Sequence, residues 1–340
     1  MVRRADAGQR DLRLRVVPAA VYKVDDPGNG ATSSFVFDIA IIDPTDRELT
    51  PVSADVELSS HGSTVERQEW KAEALAKIKG VRYRILADTP VASPRRMFTL
   101  PEAFDLRFYF RRPQALAIDM AEPRVTVADP KGDAAELTLR VPIQRYEQKT
   151  PLIFPFRGRG HVGQDWGTNG GHGSGFGSDF AIDVIGLDEN DAPQTDDADE
   201  NASATGWDRE IIAPAAGTVT YARNDVPDNA HPGHRPEMDM YTALHDPVMA
   251  YYGNCVIVDH GNSEHSVMAH LRCGSVTVRV GDRVAAGQVI GRLGNSGDSS
   301  GPHLHYQLQV GPRLFDNQSV PFTFENIDVP LSRGRYFDAK

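Results

Sequence analysis

Apolar and polar positions alternate in short runs through residues 11–145, the two-residue period of strands with one buried face. Leu12–Tyr22, Ser34–Ile42, Ala54–Ser59, Val81–Ala87, Phe104–Phe110, Arg124–Ala128 and Ala135–Ile143 read as strands. The turn-forming stretches DDPGNG, DPTD, DTPVASP and DPKGD separate them. Short strands spaced by turn signals predict an immunoglobulin-like β-sandwich domain over residues 1–145. Thr64–Lys79 (TVERQEWKAEALAKIK) is rich in helix formers and predicts a short helix, with Gln68–Trp70 open to a strand instead.

The pattern changes after Tyr146. Residues 146–160 (YEQKTPLIFPFRGRG) read as a linker, and glycine becomes dense beyond it. Further strands are expected at Phe180–Ile185, Glu210–Ile212, Thr218–Ala222, Tyr252–His260, Ser266–Leu271, within Arg283–Leu293, and at Pro302–Val310. A second, antiparallel β domain is therefore expected over residues 161–325, with 326–340 as a C-terminal tail. Two polar insertions interrupt it. Residues 187–210 hold nine acids and one base and read as a solvated loop. Residues 224–249 hold His231, His234 and His245 and read as a surface loop.

Composition narrows the class. Of the 340 residues 40% are apolar, enough for two cores, yet no run of about 18 apolar residues exists to make a transmembrane helix. The start, MVRRADAGQR, has no apolar stretch after its basic residues, so no signal peptide is expected in the chain as given; it reads as cytosolic or as a mature form. Net charge is −11, and it sits in one half: residues 1–150 carry 23 basic and 22 acidic side chains, residues 151–340 carry 13 and 25. An acidic second half argues against nucleic acid or an anionic membrane as partner. Cys255 and Cys273 are too few for a disulfide scaffold and read as small packed residues, a single bridge being the alternative.

The candidate chemistry lies in the second half. His303 and His305 alternate on the expected strand PHLHYQLQV, so both imidazoles face one side and can converge on one point. Asp183 sits inside the apolar run FAIDVI, where a carboxylate is costly unless it is paired or meets a cation. His270 lies near the end of the strand SVMAHL.

GTVTYA, YGNCVIVDHGN, MAHL, VGDRVAAGQVIGRLGNSG and GPHLHYQLQV occur in that order. Together they resemble the lysostaphin-type (LytM-like) zinc metallopeptidases, which cleave peptide stems and bridges of bacterial peptidoglycan, over about residues 160–312. The resemblance implies an antiparallel β-sheet peptidase domain with one zinc ion. It implies His172, Asp183 and His305 as metal ligands and His270 and His303 as catalytic residues. It also implies a peptidoglycan peptide as substrate and an extracytoplasmic location. The family's first histidine commonly stands a few residues before the aspartate, whereas His172 precedes Asp183 by 11 positions. His161, four positions before Asp165 in HVGQD, is the alternative to His172.

The residue types suit that chemistry. Two histidines, one carboxylate and an open position make a catalytic zinc site. Zinc brings the pKa of bound water to about 7, giving a nucleophile at neutral pH. Further imidazoles can stabilise the oxyanion and move the proton. No HExxH occurs, so a thermolysin-type helical site is excluded. A non-catalytic peptidoglycan-binding or hydrolase-activating module of the same fold is the alternative function. A lipoyl-like carrier, suggested by VGDRVAAGQVIGRL, has no modified lysine to offer.

Overall fold

The computed structural model describes residues 12–17, 20–25, 31–43, 48–80, 105–165, 172, 178, 180–195, 199–234, 251–312 and 318–340. It is mainly β, and the chain divides into two units, Met1–Tyr146 and Glu147–Lys340.

The first unit holds β1 (Arg13–Val17), β2 (Val21–Tyr22), β3 (Val24–Asp25), β4 (Thr32–Ile42), β5 (Thr50–Ser60), β6 (Ser63–Lys71), α1 (Ala72–Ile78), β7 (Lys79–Gly80), β8 (Asp105–Pro113), β9 (Met120–Ala128), β10 (Ala134–Thr138) and β11 (Val141–Gln144). They form two sheets. One runs β1-β4-β8-β7 with β3 on β4, and the other β2-β11-β9-β5-β6 with β10 on β9. Their alternating apolar residues meet in one core: Phe35, Phe37 and Ile39 of β4 and Phe108 and Phe110 of β8, against Val56 and Leu58 of β5 and Val125 and Val127 of β9. Across the sheets Trp70 stands edge-on to Phe108, ring centroids 4.9 Å apart. Phe108→Ala is expected to cost about 3–5 kcal/mol by leaving a cavity between the sheets. An unchanged unfolding midpoint in denaturant would contradict that packing.

The stretch expected to be one helix divides. Ser63–Lys71 is strand β6, paired along β5 from Ser53↔Lys71 to Ser60↔Ser63, and only Ala72–Ile78 is helical. Thr64, Glu66, Gln68 and Trp70 recur with the strand period, and cross-strand pairing outweighs a weak helix propensity. The strand expected at residues 81–87 lies outside the described residues.

The second unit holds β12 (Gly158–Gln164), β13 (Ile182–Gly186), β14 (Glu210–Ile212), β15 (Gly217–Ala222), β16 (Asn254–Asp259), β17 (Glu264–Leu271), β18 (Arg283–Val284), β19 (Val289–Arg292), β20 (Leu304–Val310), β21 (Ser319–Val320) and β22 (Tyr336–Ala339). The main sheet has the order β18-β15-β16-β17-β20-β13-β12-β22, with β21 on β20, and its pairs are antiparallel. β14 and β19 make a separate pair.

Alternation gives this sheet two distinct faces. On the back, Tyr306 packs on Phe324 at 5.0 Å and on Phe322 at 4.9 Å, and Phe154 stands 4.7 Å from Phe337 and 5.0 Å from Phe324. Leu152, Phe154 and Phe156 are fully buried, so residues 146–160 are no bare linker. Their alternate apolar side chains supply part of the cover over the sheet. Glu264, itself buried, accepts hydrogen bonds from the backbone N–H of Lys149 and Thr150 at 2.8 and 2.7 Å and pins the start of that stretch. The segment expected to be a tail likewise carries β22, which pairs with β12.

The described part of the acidic loop is tied down. Asp188 Oδ1 accepts the N–H of Asn190 and Ala192, and Arg159 Nε donates to Asp191. The Arg209 guanidinium lies over the Phe156 ring and donates to the carbonyls of Arg159 and Leu187. Within a run that reads as solvated in sequence, Asp188 caps a turn by accepting from the backbone that follows it, and Asp191 pairs with Arg159. Cys255, buried, and Cys273, exposed, are not bridged to each other. Among the described residues no helix is long and apolar enough to cross a membrane.

Candidate metal centre

The front face of the sheet carries the polar residues. β20 pairs with β13 so that His305 stands opposite Asp183, and with β17 so that His305 stands opposite Ala269. Register thus brings residues 122 positions apart onto adjacent strands: His305 Nδ1 lies 3.1 Å from Asp183 Oδ1. His172, whose N–H donates to the Asp165 carbonyl, places Nε2 2.9 Å from the same oxygen. His303, just before β20, places Nε2 3.4 Å from it. Three imidazoles therefore surround one oxygen of a partly buried carboxylate. The rings of His172 and His305 are nearly perpendicular, centroids 4.8 Å apart.

His270 completes the cluster, 4.7 Å from the His303 ring and 5.7 Å from the His305 ring. It has φ 58°, a left-handed conformation rare for a residue with a side chain, where the pairing of β16 with β17 shifts register. The bulge turns the imidazole toward the site at some local cost. Its Nδ1 meets the Ser296 carbonyl at 2.8 Å. A carbonyl only accepts, so Nδ1 carries the hydrogen and Nε2 is left with its lone pair. His303 likewise carries a hydrogen on Nδ1, which meets the Gly301 carbonyl at 2.8 Å.

The loop before His303 is held from beneath. Asp228 accepts the N–H of Asn295 and of Cys273, and Asn229 Nδ2 donates to the carbonyls of Gly297 and Ser299. Gly253, at φ 59°, lies so close to Ser296 that a Cβ would come within 2.5 Å of its backbone. Asp228 and Asn229 fall in an insertion that reads as plain surface loop, and no sequence signal marked them. His231 and His234 of that insertion are exposed, and His245 lies outside the described residues.

Burial pushes the Asp183 carboxyl up, but His172 and His303 beside it outweigh that and hold it well below the usual carboxylate range. Burial, reinforced by His303 and His305, holds the His270 imidazole well below its ordinary value. Burial also lowers His305, partly offset by its contact with Asp183. Both are neutral near pH 7, as a ligand or a proton acceptor must be.

The donor set suits a divalent cation such as zinc. His172, Asp183 and His305 form a group whose ligand atoms all lie within 4.8 Å of one another. Two ligands on tetrahedral zinc, with bonds near 2 Å, stand about 3.3 Å apart. The contacts of 2.9 and 3.1 Å to Asp183 approach that edge. His172 Nε2 is buried and, although near Asp183, makes no hydrogen bond of acceptable geometry. A buried nitrogen aimed at a carboxylate without bonding it fits a shared cation. His161 is not in the group; its ring packs on Tyr336 at 4.6 Å, and Asp165 accepts from the Arg333 N–H.

The model of Peptidase family M23 matches residues 202–319. This region belongs to Peptidase family M23. The M23 match includes His270, His303 and His305, whereas His172 and Asp183 precede it. The chain is 44% identical over 63 residues to the peptidoglycan DD-endopeptidase ShyA of Vibrio cholerae, covering 18% of this chain and 14% of that one. It is 41% identical over 69 residues to the DD-carboxypeptidase/endopeptidase Mpg of Neisseria meningitidis, covering 20% and 15%. The matches thus span about one seventh of these relatives' lengths. Among solved structures, the catalytic domain of lysostaphin from Staphylococcus simulans is similar at 19% identity over 48% of this chain and 88% of that one, with a TM-score of 0.27.

Proposed function

We propose that this chain is a zinc-dependent endopeptidase that hydrolyses peptide bonds of bacterial peptidoglycan stems or cross-bridges, outside the cytoplasm. One observation carries the reading: three imidazoles converge on one Asp183 oxygen, with His270 beside them. The M23 match and the names of ShyA and Mpg support the substrate class. His172 Nε2, Asp183 and His305 Nδ1 are the ligands in this reading. Zinc, when bound, supplies a Lewis acid that activates water at neutral pH and polarises a carbonyl.

The remaining imidazoles handle the proton. His303 and His270 each keep Nδ1–H on a backbone carbonyl, so each turns its Nε2 to the site. One of them takes the proton from the attacking water at Nε2, and that proton then passes from the same Nε2 to the leaving amine. Both rings are anchored on the loop 294–301, so their spacing is held by the same short stretch.

A non-catalytic module of the same fold would need none of these five side chains in register. Digestion of purified peptidoglycan by the full chain separates the readings. Cleavage is expected, lost with a strong chelator and restored by about one equivalent of zinc. Cleavage that persists without metal overturns the zinc reading; zinc and wall binding without cleavage favour the module.

A further inference from the structure

Beyond His305, β20 continues the same face with Gln307 and Gln309, both fully buried. Their amides form a chain. His305 Nε2 lies 3.1 Å from Gln307 Oε1, Gln307 Nε2 lies 2.7 Å from Gln309 Oε1, and Gln309 Nε2 lies 2.8 Å from the Gly311 carbonyl. We propose that Gln307 and Gln309 are positioning residues: a one-way hydrogen-bond chain anchored on the Gly311 carbonyl holds His305 as its Nε2–H tautomer and so presents Nδ1 to the metal. This rests on the zinc reading of the site.

The direction of the chain follows from its end. A backbone carbonyl only accepts, so the Gln309 amide must turn its NH2 toward Gly311 and its oxygen toward Gln307. The opposite amide orientation would set two acceptors 2.8 Å apart. Gln307 is then forced in turn: its NH2 serves Gln309 and its oxygen faces His305. An oxygen 3.1 Å from His305 Nε2 requires the ring hydrogen there. Nδ1 is thereby stripped of hydrogen and turns its lone pair on Asp183 Oδ1, 3.1 Å away. Two electron-rich atoms at that distance are stable around a shared cation, which ties the remote carbonyl to the ligand atom.

The chain also separates roles within the H-x-H pair. His303 turns an Nδ1–H away from the site and His305 an Nε2–H, although they stand two residues apart. Opposite side-chain partners, a loop carbonyl for one and a strand amide for the other, set the difference. Outer partners that fix the tautomer of a ligating histidine typically change metal affinity about 10–100-fold when removed.

The test reads the tautomer and the metal separately. Ring ¹⁵N shifts of His305 are measured in metal-free, histidine-labelled full chain, and zinc affinity by competition with a chelator of known strength. Wild type is expected to show Nε2–H. Gln307→Leu removes the acceptor; His305 is expected to move its hydrogen to Nδ1, toward Asp183, and zinc binding to weaken about 10–100-fold. Gln307→Glu keeps an acceptor for the His305 Nε2–H but loses the NH2 that serves Gln309 Oε1, so it is expected to retain the Nε2–H tautomer while breaking the link to Gly311. Gln309→Leu frees the Gln307 amide to turn and is expected to give an intermediate loss; it carries the same test if Gln307→Leu does not fold. Nδ1–H in metal-free wild type, or a Gln307→Leu chain with wild-type tautomer and affinity, overturns the proposal. A wild-type chain with Nε2–H that takes up no zinc overturns instead the metal reading on which it rests.

Discussion

Asp183→Ala is expected to leave the chain without stoichiometric zinc and without peptidase activity. Asp183 supplies the one anion among the proposed ligands, and all the nearby imidazole contacts converge on its Oδ1. Without it, a divalent cation would face neutral imidazoles in a buried setting and lose its charge compensation. The loss in affinity should exceed the ~10–100-fold that follows removal of an outer partner. Zinc content after dialysis, with circular dichroism to confirm folding, decides the matter. A folded Asp183→Ala chain that keeps one zinc would remove Asp183 from the ligand set.

His303→Ala and His305→Ala are expected to separate metal from chemistry. His305 sits in register with Asp183 on the neighbouring strand, with Nδ1 at 3.1 Å. His303 approaches the same oxygen from the loop end at 3.4 Å and keeps its Nδ1 on the Gly301 carbonyl. Removing His303 should retain zinc and lower turnover by about two to three orders of magnitude, the usual effect of losing one acid–base or oxyanion group. Removing His305 should abolish both zinc binding and activity. Zinc measured on the two variants gives the assignment: metal lost with His303→Ala and kept with His305→Ala would exchange their roles. Wild-type turnover in either would refute the mechanism.

The local patterns that carried over from sequence are those set by neighbours along the chain. Alternation in TSSFVFDIAII and in MAEPRVTVA defines the buried faces of β4 and β9. The same period puts His305, Gln307 and Gln309 on one face, although the two glutamines read as ordinary strand residues. Where the reading departed from the structure, a distant partner intervened. Ser63–Lys71 pairs with β5 in spite of its helix formers, because a strand already present offers ladder hydrogen bonds that propensity cannot match. Residues 146–160 read as a linker because nothing nearby in sequence showed the apolar sheet face that Leu152, Phe154 and Phe156 cover.

By itself the sequence determined that the chain is mainly β, that its acidic half holds the candidate site residues, and that His303 and His305 share a face. Those properties follow from period and composition, which act over a few residues. Only the tertiary structure decided that His172 and not His161 reaches the Asp183 oxygen, and that His270 enters through a bulge. It alone decided which ring nitrogen each histidine turns to the site. Those outcomes depend on register between strands and on carbonyls at Ser296, Gly301 and Gly311, groups every residue possesses and no sequence pattern distinguishes.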